Sequence, residues 1–113
     1  MINKKKATTT TNITSLYDNW PPHQYIYVVA QKIPKAILLY IRLWQLKNSN
    51  NQLHILRKNV DTIFLTDVYT FRKYLIELCS TGLVSFEDDK ENELKIYKIE
   101  LTDWSENDEQ ATN

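Results

Sequence analysis

The chain has 113 residues, 14 Lys plus Arg, 14 Asp plus Glu, and a formal net charge of zero. Its length suits one domain with a modest single core. One glycine and three prolines exclude a turn-rich all-β or collagen-like chain, and they leave no glycine-rich phosphate loop. The zero net charge hides a split. Residues 1–86 hold eleven bases against four acids, a net +7, whereas residues 87–113 hold ten acids against three bases, a net −7. A uniformly basic nucleic-acid coat is therefore excluded, but a basic face is not. The single cysteine, Cys79, gives no disulfide framework, and no apolar run near the N-terminus has the length of a signal peptide. The longest apolar stretch, Ala36–Leu46, is too short for a membrane span, which needs about 20 residues. A reducing, cytoplasmic setting without membrane partners is expected, and the Asn12-Ile13-Thr14 sequon reads as a chance match.

Residues 1–22 read as a polar N-terminal arm, basic at Lys4, Lys5 and Lys6 and closed by Trp20-Pro21-Pro22. The run Tyr25–Ala30, β-branched and aromatic, predicts a short strand, with a helix into Gln31 as the alternative. Pro34 suits a first helical turn, and Lys35–Lys47 follows without a breaker. Ile37, Tyr40, Ile41 and Trp44 form one stripe of that helix, and Leu39, Leu43 and Leu46 form another. So apolar a helix is buried on several sides or serves a dimer interface. Leu53-His54-Ile55 is a strand candidate, and Leu56–Phe64 has helical spacing. The next helix starts at Thr66 or Asp67, either of which is able to cap it, and Val68, Phe71, Leu75 and Leu78 recur on one face. It ends at Gly82, where a helix terminus favours a residue able to reach positive φ. Leu83–Glu87, a charged turn at Asp88–Asn92 and Leu94–Leu101 predict a hairpin. Its return strand changes apolar phase, which suggests a bulge near Ile96–Tyr97. Residues 103–113 form an acidic tail, with Trp104 expected to dock on the core.

This order, and the segment Leu56–Phe86 in particular, resembles the winged helix-turn-helix superfamily. Arg57-Lys58 followed by Val60, Ile63 and Phe64 matches the family's second helix. Thr70-Phe71-Arg72-Lys73-Tyr74-Leu75-Ile76-Glu77-Leu78 matches the common Thr-Val-Arg-Arg-x-Leu-x-x-Leu of its third, and Gly82-Leu83-Val84 matches the step into the first wing strand. The lead-in Tyr25–Leu46 is similar to small replication and transcription modules of bacterial plasmids and phages. The resemblance implies an α+β fold of three helices with a small antiparallel sheet and a C-terminal hairpin wing, spanning residues 23–102. It departs at the turn, where Leu65-Thr66-Asp67 stands in place of the family's glycine-containing step, and at the wing tip, which is acidic.

What the resemblance implies about function is double-stranded DNA binding, by a transcriptional regulator or a replication accessory of a mobile element. The third helix (67–81) would enter the major groove, which admits one α-helix and is read by its N-terminal half. Tyr69, Thr70, Arg72 and Lys73 fall outward on it, and Arg57 and Lys58 fall beside the DNA backbone. The alternative is a winged-helix adaptor that binds protein and not DNA, suggested by the acidic wing and tail and by the apolar helix, which also points to a homodimer. His23 and His54 have no ligand-like neighbours in sequence, and the acids from Asp88 to Glu93 lack a calcium-loop pattern, so no metal or cofactor is expected. No nucleophile stands in a catalytic context, so the chain does not read as an enzyme.

Overall fold

The computed structural model of the protein describes residues 19–104. Among them are four α-helices and one three-stranded antiparallel sheet, an α+β arrangement with one helix more than the sequence suggested. The lysines of the N-terminal arm and the tail beyond Trp104 lie outside the described residues.

The additional helix is α1, His23–Lys32, where the sequence predicted a strand. Tyr25 and Val29, four apart, are buried and Ile33, four further on, packs against the core, while Tyr27 between them is 64% exposed. That spacing is helical, and burial of one helical stripe overrides the strand preference of a β-branched run. The prolines set the start, since the N–H groups of Tyr25 and Ile26 donate to the Pro22 carbonyl at 3.0 and 3.2 Å. Pro34 sets the end, because it disfavours helical backbone at Ile33.

A single 3-10 turn, Pro34–Ala36, leads into α2, Ile37–Leu46. Tyr40, Leu43 and Trp44 of α2 are buried, whereas Leu38 is 81% exposed. Strand β1, Gln52–Leu56, is followed by a second 3-10 turn, Arg57–Asn59, and by the short α3, Val60–Phe64. The α3–α4 turn lacks glycine, and Leu65 itself takes the left-handed conformation (φ 56°, ψ 37°). Helix α4, Val68–Cys79, is capped by Asp67, as one of the two sequence alternatives had it. Gly82 follows with φ 80°, as expected for a helix-terminating glycine.

Strands β2, Val84–Glu91, and β3, Leu94–Leu101, form a hairpin, and β3 lies centrally in the order β1-β3-β2. The hairpin is longer than predicted. Its turn is Asn92-Glu93, both at positive φ, the backbone of a two-residue hairpin that matches strand twist. The ladder runs unbroken from Val84↔Leu101 to Glu91↔Leu94, so the expected bulge is absent. The phase change has another cause. Tyr97, Ile99 and Leu101 join the core, while Ile96 points to the opposite face and is covered there beside its cross-strand neighbours Leu56 and Asp89. The core lies between the helices and one sheet face, around the fully buried Tyr25, Tyr40, Leu43, Phe71, Leu75 and Ile99. Burial of each such side chain stabilises by roughly 1.5–3 kcal/mol. Trp104 docks on it, its ring edge-on to Tyr25 at 5.4 Å, while Asp103 accepts a hydrogen bond from the Tyr25 hydroxyl at 3.3 Å. No helix among the described residues is long and apolar enough to cross a membrane.

Candidate nucleic-acid interface

Helix α4 organises this surface. With Phe71, Leu75 and Leu78 buried, the 100° step per residue turns Tyr69, Lys73 and Ile76 straight outward. Arg72 falls on the flank towards the hairpin, and Tyr74 falls on the opposite flank. Tyr69 is 83% exposed, and Lys73 is exposed. Thr70 is occupied at the helix start. Its N–H donates to Asp67 Oδ1 at 2.8 Å, and its hydroxyl donates to Asp67 Oδ2 at 3.0 Å. The backbone N–H of Thr70, then its hydroxyl, hold the Asp67 carboxyl below the usual carboxylate range.

Arg72 is engaged too. Its Nη1 donates to both carboxylate oxygens of Asp88 on β2, at 2.8 and 2.9 Å. Its guanidinium lies 5.5 Å from the Phe86 ring centroid and 6.0 Å from that of Tyr97. Asp88 and then Tyr97 raise the guanidinium's already high pKa. Of the side chains expected to meet DNA, this one is a strut between α4 and the hairpin. Both partners stay substantially exposed, so the pair is worth about 1 kcal/mol or less by Coulomb attraction, with a further ~0.5–1 kcal/mol from ring stacking.

The hairpin register sorts its charges by face, because directly paired residues project to the same side. Phe86, Asp88 and Lys90 face the helices with their partners Ile99, Tyr97 and Lys95. Glu87, Asp89 and Glu91 face away, paired with Lys98, Ile96 and Leu94. Asp89 accepts a hydrogen bond from Lys98 Nζ at 2.7 Å, and that lysine, followed by the Lys90 backbone N–H, lowers its carboxyl pKa. Glu87 and Glu91 remain on the outer face.

The helix-facing side has a different balance. Asp88 is neutralised by Arg72, and Lys90 stands directly opposite Lys95. Like charges in that position repel. Arg57 lines the same cleft, of about 470 Å³, with Asp89 at its border, and Lys58 joins Arg57, Lys95, Glu93 and the α4 residue Val68 in the adjoining one. Among the described residues, no ion pair engages Arg57, Lys58, Lys73, Lys90 or Lys95. The two basic residues predicted from the start of the preceding helix are thus assembled with two that sequence reasoning missed. The missing signal was the turn. Once Asn92-Glu93 is recognised as a two-residue turn, period-two alternation puts Lys90 and Lys95 across from one another on the helix side. Comparison with known protein families, with curated proteins and with solved structures finds no match for the chain.

Proposed function

We propose that the chain is a winged helix-turn-helix DNA-binding module, a regulator or replication accessory, in which α2, α3 and α4 form the trihelical unit and β2–β3 is the wing. Helix α1 is an N-terminal addition to that unit. Tyr69 and Lys73 meet the major groove, while Arg57, Lys58, Lys90 and Lys95 take the phosphate backbone between the helix and the wing. Arg72 sets the wing against the helix, and Thr70 holds the cap.

The observation that carries this reading is the Lys90–Lys95 pair beside Arg57 in a cleft whose two carboxylates, Asp88 and Asp89, are already paired with Arg72 and Lys98. Two opposed ammonium groups are unfavourable alone and favourable around a shared anion. Glu87 and Glu91 point to the other face, so of the wing's carboxylates only Glu93, at the turn, stands without an ion pair, among the described residues, beside a phosphate approaching from the helix side.

The test is a fluorescence anisotropy titration of labelled duplexes from the protein's own locus at two salt concentrations. Binding should weaken steeply with salt, because each neutralised phosphate releases counterions and adds about 0.9 to the logarithmic slope. Lys95→Gln should weaken binding to all sequences alike and reduce that slope by about 1. Absence of binding at low salt overturns the proposal.

A further inference from the structure

The flank of α4 opposite Arg72 carries a different surface. A groove of about 430 Å³ runs between α2, the end of α3 and α4. Leu39, Ile63, Phe64 and Tyr74 form its half-buried floor. Leu38 and Leu65 stand on its two sides, 81% and 88% exposed. Lys35, Arg42 and Thr66 complete the lining, and no carboxylate is part of it. Among the described residues neither cation has an acidic partner, and Arg42 reaches only Gln45 Oε1, at 3.5 Å.

Leu65 adds an independent observation. A leucine in the left-handed conformation is strained, and at 88% exposure its side chain gains almost nothing from packing in return. Glycine or asparagine would close this turn at lower cost. Among the described residues nothing repays that strain, so the leucine makes sense as a contact to something beyond them.

We propose that this groove docks an acidic amphipathic helix of a partner protein. The occupant places two leucine-like side chains, one helical turn apart, between Leu38 and Leu65, and its flanking carboxylates meet Lys35 and Arg42. The apolar walls select the leucines, and the unpaired cations on a rim without acids select the charge. The walls come from α2, α4, the end of α3 and the turn after it, and none of the sheet strands borders the groove. The groove thus offers no strand edge, and an occupant must satisfy its own backbone hydrogen bonds, as a helix does. The surface lies on the other side of α4 from the Lys90–Lys95 cleft, so this inference does not rest on DNA binding.

The probe is a fluorescein-labelled, lactam-stapled peptide with leucines at i and i+4 flanked by glutamates, and the control is the same peptide with lysines for the glutamates. The glutamate peptide should bind the full chain with Kd of about 10–100 μM, as suits a small transient surface, and the lysine peptide at least about tenfold more weakly. Leu38→Asp and Leu65→Gly should each weaken the glutamate peptide about tenfold or more, the loss of one buried leucine contact. Both positions are exposed, so the fold should survive, and Leu65→Gly should melt higher than the parent while binding worse. Arg42→Glu should reverse the preference between the two peptides. The proposal fails if the glutamate peptide does not bind, if both peptides bind alike, or if binding ignores Leu38→Asp and Leu65→Gly. It fails also if sedimentation finds a dimer that Leu38→Asp dissociates, because a second copy then fills the groove.

Discussion

Leu65 and Gly82 both take left-handed backbone at the ends of helices, at φ 56° and φ 80°, with opposite consequences for substitution. At Leu65 the side chain is exposed and the strain has no return among the described residues, so Leu65→Gly should stabilise the fold by up to ~1 kcal/mol. That corresponds to a rise in melting temperature of a few degrees for a domain of this size, readable by thermal circular dichroism. At Gly82 a Cβ would meet the Trp104 ring at 3.7 Å, an ordinary contact, so the objection to Gly82→Ala is conformational. It should cost about 1–2 kcal/mol. A third residue tests a buried polar atom. The Tyr40 hydroxyl and the Trp44 indole N–H are buried near one another, but neither completes a well-formed hydrogen bond among the described residues. Burial pushes the Tyr40 pKa well up, with Trp44 opposing the shift only in part. Removing an unsatisfied hydroxyl removes its desolvation cost, so Tyr40→Phe should be neutral or stabilising by up to ~1 kcal/mol in a denaturant melt. A loss above that would mean that the hydroxyl has a partner.

The helical elements differ in how plainly the sequence announced them. Helix α4 was legible throughout, because Asp67, the stripe Val68–Phe71–Leu75–Leu78 and Gly82 mark its start, face and end independently. Helix α1 was not, because a six-residue apolar run carries too little periodicity to separate strand from helix, and packing of Tyr25 and Val29 decides. The candidate site was half legible. Arg57, Lys58, Tyr69 and Lys73 are exposed, and among the described residues no ion pair engages the three cations. Thr70 and Arg72 are spoken for by Asp67 and by Asp88, and the latter contact spans 16 residues that no local pattern encodes. If Arg72 is a strut, Arg72→Ala and Asp88→Asn should weaken DNA binding alike, and the double variant should be no worse than either. Tighter binding by Asp88→Asn would instead identify Arg72 as a DNA contact held in reserve. The α4 cap supplies a pH dependence. The Asp67 and Asp89 carboxyls have folded pKa values below their unfolded ones, so their contribution is complete above the ordinary value of 3.8 and is lost as pH falls through the folded values. Melting temperature should therefore be flat near neutrality and drop in acid below about pH 4, and Asp67→Asn, which keeps a capping oxygen without a titrating proton, should flatten the drop.

At the scale of the whole molecule, net charge is a poor guide because charge is sorted by face. The basic body and acidic end suggested by the sequence would make the entire wing repel phosphate. In the folded chain the hairpin's helix side presents Lys90 and Lys95, while Glu87 and Glu91 point the other way and Glu93 sits in the turn. Two pairs of neutral substitutions separate these pictures. Lys90→Gln with Lys95→Gln makes the net charge more negative by two, and Glu87→Gln with Glu91→Gln makes it more positive by two. If net charge governs DNA binding, the two variants should shift the affinity equally and oppositely at every ionic strength. If the face governs, the outcome depends on screening. At 0.01 M salt the Debye length is about 30 Å, longer than the sheet is thick, so both variants should be felt. At 0.15 M it is about 8 Å, so the outer-face variant should approach the parent affinity while the inner-face variant remains weakened. The same affinity for both variants at 0.15 M salt would remove the basis for assigning phosphate contacts to the helix side of the wing.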